Sequence, residues 1–541
     1  MRGALVVCGT GSDVGKTSIV AGLCRLLARQ GVRVAPFKAQ NMALNSFVTP
    51  SGHEIGRAQG IQALAAGVEP EAAMNPILLK PTGERTSQVV VMGRAVGCLD
   101  AAAYQAEKVR LWPVVQEALA DLRARFDVVI VEGAGSAAEI NLLAGDIVNL
   151  RLAAAAGIAA VVVGDIDRGG VFASLYGTVA LLPADLRATV RGFVINKLRG
   201  DPTLLGDGPA ELERRCGVPT LGVVPWVHGL DVDAEDSLGL AAGLGPASAD
   251  PATMNIAVIR FPRLSNFTDA DALAIEPQVE VRFVDCVADL GRPDLVILPG
   301  SKATVDDLEW LKGCGLARAI RSSQAAVLGI CAGYQMMGRT ITDTVESGRG
   351  YVEGLGWLEV ETRFEATKLT RQRRGRALGQ RVCGYQIHHG RVRAAPLLSD
   401  DEAWIHLDDT FGDTTEGAHS ERLWGTTLHG LFEEDGFRTA FLTMINPDFK
   451  ASGASFTAAR HARIDRLADL LETHLEMGQV ERLIATAAPP PMKAAAPPPI
   501  KAAAPPPIKA AAPAPMKAAA PAPIAQVAHS RASQGHRETF S

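Results

Sequence analysis

Short apolar runs alternate with stretches whose apolar residues recur every three or four positions, and this alternation occupies most of the chain. Residues 4–8, 126–132, 159–163, 192–197, 256–260, 281–285, 295–298 and 327–330 read as buried parallel strands, because they carry no alternating polar face. After the first of these, Ile19, Val20, Leu23, Leu26 and Leu27 share one face of a helix that ends near Gly31. Strands separated by helical stretches predict an α/β fold built on doubly wound parallel sheets. Near the far end, Ile464, Leu467, Leu471 and Leu475 again fall on one helical face, which predicts a closing helix packed on the second domain.

The pattern breaks in two places. Around 226–253 it lapses into Asp, Gly, Ala, Ser and Pro, a linker composition. This divides the chain into a first domain over 1–228, a linker over 229–253, a second domain over 254–450 and a helical segment over 451–486. From 487 to 541 an octapeptide, Lys-Ala-Ala-Ala-Pro-Pro-Pro-Ile, recurs with lysines at 493, 501, 509 and 517. Its prolines forbid a stable helix and it has too few large apolar groups to bury a core, so a disordered, polyproline II-like tail is expected.

A chain of 541 residues is too long for one core, and its length predicts two or three domains. Charged residues make up 21% and the net charge is −5, an electrostatic balance that argues against nucleic-acid or membrane binding. The eight cysteines are scattered with no Cys-x-x-Cys pair, so they read as reduced thiols of a cytoplasmic protein. Residues 4–8 are too few for a secretory signal core, and no membrane-spanning segment is expected.

Candidate chemistry enters with the first strand. It runs into Gly9-Thr10-Gly11-Ser12-Asp13-Val14-Gly15-Lys16-Thr17 and then a helix, the order of a phosphate-binding loop. Residues 10–17 would cradle a nucleotide's phosphates through backbone amides, with Lys16 on the β and γ phosphates and the Thr17 hydroxyl on magnesium. The first glycine lies six residues before Gly15, one more than is common. Glu132 ends a buried strand, the usual place for a second magnesium ligand. Asn, Gln, Lys and Arg then recur among apolar residues, and Lys38, Asn41, Asn45, Arg57 and Lys80 are expected to line a pocket for a large amide- and carboxylate-bearing ligand.

The second domain carries a different constellation. The strand over 327–330 leads into Cys331-Ala332-Gly333 and a helix, a nucleophile elbow that would present the thiol at the carboxyl end of a sheet. The strand over 295–298 ends in Pro299-Gly300, so the amides of Gly300 and Ala332 are candidates for an oxyanion hole. His429 closes another strand-like run and is the candidate base for Cys331.

Elbow, oxyanion donor and histidine in this chain order resemble class I glutamine amidotransferases, which implies a flavodoxin-like domain that releases ammonia through a cysteine thioester. Many of those enzymes orient the histidine with a glutamate two residues on, but that position is Leu431, so the third group is absent or comes from elsewhere. Gln386 stands where a glutamate is usual, Ala332 where a glycine is commoner, and His388 reads as structural. The phosphate loop resembles that of dethiobiotin synthetase. The phosphate loop, 38–46, 75–82, 132–149, 165–173 and 265–269 together resemble the cobyric acid synthase family over roughly 1–450. That resemblance implies ATP- and glutamine-dependent amidation of the b, d, e and g carboxylates of adenosylcobyrinic acid a,c-diamide, with a corrinoid substrate and magnesium. It also implies that Asn196 touches adenine and that Asp146 lies near the reacting carboxylate or its phosphate and magnesium. The rival readings are a related amidoligase such as cobyrinate a,c-diamide synthase or CTP synthase, and a ParA-like ATPase without amidation.

Overall fold

The computed structural model describes residues 1–83, 85–227, 229–230, 253–394, 403–408 and 414–487. Residues 231–252 of the expected linker and 488–541 of the expected tail lie outside the described residues. The first sheet comprises β1 (Gly3–Gly9), β2 (Val34–Phe37), β3 (Val128–Glu132), β4 (Ala160–Asp165), β5 (Val190–Leu198) and β6 (Thr220–Pro225), in the order β6-β5-β4-β1-β3-β2. All neighbours are parallel. Residues 4–8 of β1 and all of β3 are buried, so each strand supplies apolar side chains to both faces, as their unbroken apolar runs require. Helix α1 (Lys16–Arg29) leaves β1 through the loop at its carboxyl end. Helix α2 (Arg57–Ala66) follows a polar segment whose strand Gln40–Met42 pairs with Ile77–Pro81, which comes after the helix.

The second sheet contains β7 (Met254–Ile259), β8 (Val279–Val284), β9 (Leu295–Leu298), β10 (Ala326–Ile330) and, after a long hairpin, β13 (Leu423–Thr426). The hairpin strands are β11 (Val360–Ala377) and β12 (Gln380–Ala394). The sheet order is β8-β7-β9-β10-β13, the flavodoxin order, with an antiparallel edge strand at Ala418–Ser420. In such a sheet ligands bind beyond the carboxyl ends of the strands, and β10 leads straight into Cys331 and helix α3 (Ala332–Met337) there.

The closing helix departs from expectation. Helices α4 (Phe456–His474) and α5 (Met477–Ala485) return to the first domain. Ile464, Leu467, Leu471, Leu475, Val480 and Ile484 share one core with Leu23 and Leu27 of α1. Arg25 grips Asp465 through two hydrogen bonds, Nε to Oδ1 at 2.6 Å and Nη2 to Oδ2 at 3.0 Å. Gly22 permits the approach, since a Cβ there would lie 2.5 Å from Leu471 Cδ1. The periodicity identified the apolar face correctly, but which sheet that face covers is a tertiary matter.

Candidate functional site

The elbow is strained where the chemistry needs it. Cys331 adopts φ 52° and ψ −108°, a region that a non-glycine residue occupies only when its surroundings hold it there. The restraints are visible on both sides. Cys331 N donates to Thr426 O at 2.7 Å and Gly333 N to Pro299 O at 3.1 Å. A Cβ at Gly333 would lie 1.8 Å from Leu298 O, and one at Gly329 2.6 Å from Met337 Sδ, so the turn fits only with glycine at both positions.

His429 lies three residues beyond β13 and is locked by a backbone bridge to Tyr385, with both hydrogen bonds between 2.9 and 3.0 Å. The Tyr385 ring stacks on the imidazole at 5.3 Å. The orienting carboxylate is Asp269: its Oδ2 lies 2.7 Å from His429 Nδ1, and its Oδ1 accepts from Gly430 N at 2.8 Å. Burial disfavours the charged imidazole, but the Asp269 charge and the Cys331 sulfur outweigh it and raise the pKa of His429 to about 10. Cys331, Ala332 and His429 line one cavity with Lys302, Gln335 and His388. Gly300 borders it, since a Cβ there would approach His429 Cε1 to 3.0 Å. Leu431, where a carboxylate is commoner, is buried.

The phosphate loop lies between β1 and α1. Asp13 and Gly15 both have positive φ, 57° and 96°, which curls the loop. Lys16 Nζ donates to Gly11 O at 2.6 Å and to Gly135 O at 3.3 Å. Thr17 Oγ1 donates to Glu132 Oε1 at 2.8 Å. These two hard oxygens side by side suit magnesium, which keeps several waters and needs few protein ligands. Glu132 also accepts from Lys38 Nζ at 2.9 Å and from Gln62 Nε2 at 2.6 Å. Its burial opposes ionisation, yet Lys38 and these hydrogen bonds hold its carboxyl below the usual range. Asn196 Nδ2 donates to Val14 O at 2.9 Å, so this side chain braces the loop itself. Asp146 turns its carboxylate onto the amides of Val148 and Asn149 at 2.9 and 3.1 Å.

The comparisons with known proteins follow these two centres. A family model described as a CobQ/CobB/MinD/ParA nucleotide binding domain matches residues 5–238, and one described as a CobB/CobQ-like glutamine amidotransferase domain matches 255–437. Cobyric acid synthase of Nocardia farcinica is 50% identical over 90% of this chain and 98% of its own length. Those of Rhodococcus jostii and Frankia casuarinae are also 50% identical over 90% of this chain, covering 96% and 98% of their own lengths. The chain belongs to the cobyric acid synthase family.

Within this cobyric acid synthase family member, the polar residues expected to line a substrate pocket are paired with protein groups, while Lys80 also lines the cavity of Cys331 and His429 and Arg57 lines a second cavity. Lys38, Asn41, Asn45, Arg57 and Lys80 are each 3% exposed or less. Asn41 Nδ2 donates to Gln59 Oε1 at 3.0 Å, and Lys38 belongs to the Glu132 cluster. The other three form the seam with the second domain: Asn45 Oδ1 accepts from Phe267 N at 3.3 Å, and Arg57 Nη2 donates to Glu433 Oε1 at 2.8 Å. Lys80 donates to Ser46 Oγ at 2.7 Å and Glu54 Oε1 at 2.8 Å, while Lys368 reaches Glu54 Oε2 from across the seam at 2.5 Å. Burial works against the Glu54 charge, but the Lys368 and Lys80 ammoniums hold its carboxyl well below the usual range. Buried polar groups must be paired, and here they pair with one another and with the second domain. Sequence reasoning missed Asp269 and Gln62 as partners of site residues. Asp269 lay inside the 265–269 stretch that carried the resemblance, while Gln62 is one polar residue in a helix and left no signal.

Proposed function

We propose that the chain makes cobyric acid, amidating the b, d, e and g carboxylates of adenosylcobyrinic acid a,c-diamide with glutamine as nitrogen donor and ATP as activator. The observation that carries this reading is the pairing of a Cys331–His429–Asp269 triad with a phosphate loop in a chain 50% identical to cobyric acid synthases over 90% of its length. An ATPase that binds partners without amidating has no use for the triad.

In the glutaminase reaction the Cys331 sulfur attacks the carboxamide carbon of glutamine. The C–N bond breaks as His429 protonates the leaving nitrogen, and ammonia departs. Water, deprotonated by His429, then hydrolyses the thioester to glutamate. Asp269 accepts a hydrogen bond from Nδ1–H of His429, which leaves Nε2 for these transfers. Ala332 and Gly300 amides stabilise the oxyanion. In the ligase reaction the phosphate loop and Lys16 hold the ATP phosphates while the terminal phosphoryl group passes to a corrinoid carboxylate oxygen and ADP leaves. Thr17 and Glu132 would hold magnesium, which would supply positive charge to offset that of the phosphates. Asp146 is assigned to the acceptor side of this centre. Ammonia attacks the acyl phosphate carbon, and inorganic phosphate leaves. Only unprotonated ammonia is nucleophilic, so a sheltered path between the two centres is expected.

The test is Cys331→Ala assayed with each nitrogen source. Glutamine-driven amidation should vanish while ammonium at a pH that provides free ammonia still supports it. Normal turnover with glutamine would refute the nucleophile, and loss of the ammonium reaction in a folded, ATP-binding variant would refute the separation of the two chemistries.

A further inference from the structure

His388 stands on β12 and lines the cavity that holds Cys331 and His429. Its Nδ1 lies 2.6 Å from Gly390 O. A carbonyl only accepts, so Nδ1 carries the proton and Nε2 of the neutral ring is a bare acceptor. The neutral form is secure: burial above all, assisted by the nearby Arg391, His429 and His389, overrides the Gly390 bond and lowers the pKa to about 3. The residue is 7% exposed, and among the described residues Nε2 has no hydrogen-bond partner.

A buried acceptor without a partner is unfavourable and calls for an explanation. A second unpaired group faces the same question. Gln335 lines the same cavity, is 1% exposed, and its Nε2 donor likewise has no partner among the described residues. The two residues meet at Gly390, whose carbonyl accepts the hydrogen bond from His388 Nδ1–H and where a Cβ would come within 2.7 Å of Gln335 Nε2. One unpaired acceptor and one unpaired donor beside a cysteine nucleophile form the complement of a primary carboxamide, which offers N–H donors and a carbonyl acceptor.

We propose that His388 Nε2 accepts a hydrogen bond from the carboxamide NH2 of glutamine and is the residue by which this site distinguishes glutamine from glutamate. The inference rests on the glutaminase reading. Glutamate presents carboxylate oxygens with no N–H, so its lone pairs would face that of Nε2. A site built to receive a donor rejects the analogue that lacks it more strongly than an apolar wall does. The same repulsion favours departure of the product once the thioester is hydrolysed.

The experiment uses the full chain carrying Cys331→Ala, so that glutamine binds without being consumed, and measures Kd by calorimetry for glutamine, glutamate and glutamate γ-methyl ester. The ester keeps the carbonyl but has no N–H. Glutamine should bind at least about tenfold tighter than the ester, and in Cys331→Ala/His388→Leu that preference should fall to within about threefold, because the lost hydrogen bond affects glutamine alone. If His388 is merely structural, all three ligands weaken in proportion and the ratio stays, which overturns the proposal. His388→Asn, which retains an acceptor oxygen, should keep part of the preference; a complete collapse there counts against the proposal. Should the leucine variant not fold, the parent protein still decides, since equal affinity for glutamine and ester overturns the proposal. Absence of glutamine binding to Cys331→Ala in any form would instead sink the glutaminase reading itself.

Discussion

At the scale of single residues, the candidate glutaminase centre is an exchange of strain for position. Cys331 holds a backbone conformation with φ 52° because Gly329 and Gly333 let the strand and helix close around it. Asp269 lies 2.7 Å from Nδ1 of His429 and supplies the carboxylate that position 431 lacks. Asp269→Asn preserves shape but no longer enforces the Nδ1 proton or balances the imidazolium. Glutamine hydrolysis should fall by roughly a hundredfold to ten-thousandfold, by analogy with the same change in a serine triad. Steady-state glutaminase assays check this, and unchanged hydrolysis would remove Asp269 from the triad. Leu431→Glu should not substitute for Asp269, because position 431 is buried and a second carboxylate there would have to be desolvated.

At the scale of elements, the unexpected one is α4. Its apolar stripe shares a core with Leu23 and Leu27 of α1, the helix that begins with Lys16 and Thr17, so the carboxyl-terminal helices complete the packing of the first domain. Leu471 is fully buried and packs over Gly22. Leu471→Ala should cost about 2–5 kcal/mol of stability, the range for leucine truncation in a well-packed core. Denaturant unfolding measures this, and a loss of ATP affinity at temperatures near the lowered midpoint should accompany it. A variant as stable as the parent would show that α4 is peripheral to the first domain.

At the scale of the whole molecule, the buried seam ties the two chemistries together. Glu433 accepts from Arg57 of α2 at 2.8 Å and from Arg460 of α4 at 2.9 and 3.0 Å. Arg57→Ala should therefore depress glutamine-driven amidation by roughly tenfold or more relative to ammonium-driven amidation, the size of a typical coupling between sites. Equal losses with both nitrogen sources would mean that Arg57 serves only one centre. The same cluster sets an acid limit. Burial raises the Glu433 pKa, but Arg57 and Arg460 outweigh it and hold the carboxyl down at about 2, against an ordinary 4.5. A depressed carboxyl contributes its stabilisation above its unfolded pKa and loses it as pH falls through the folded value. The melting temperature should decline between about pH 4.5 and 2, and Glu433→Gln should flatten that part of the profile. An unaltered slope would assign the acid sensitivity to other groups.

What the sequence by itself determined is what contiguous residues control. The buried strands at the two centres, the phosphate loop between β1 and α1, and the elbow after β10 are each written within about a dozen neighbouring positions, because backbone geometry and apolar periodicity are local. The tertiary structure alone decided the pairings across distance. His429 and Asp269 are 160 positions apart, and Asn45 and the Phe267 amide 222. A polar residue among apolar ones looks the same in sequence whether it meets a ligand or another protein group, since both satisfy the same hydrogen-bonding demand. For that reason the residues from 38 to 80 read as a pocket from sequence, while the structure shows them paired with protein groups in a cluster and a seam, with Lys80 and Arg57 also lining cavities. An amphipathic helix likewise declares that one face will be buried but not against what, because hydrophobic attraction is non-directional and the choice of partner falls to shape, such as the space that Gly22 leaves for Leu471.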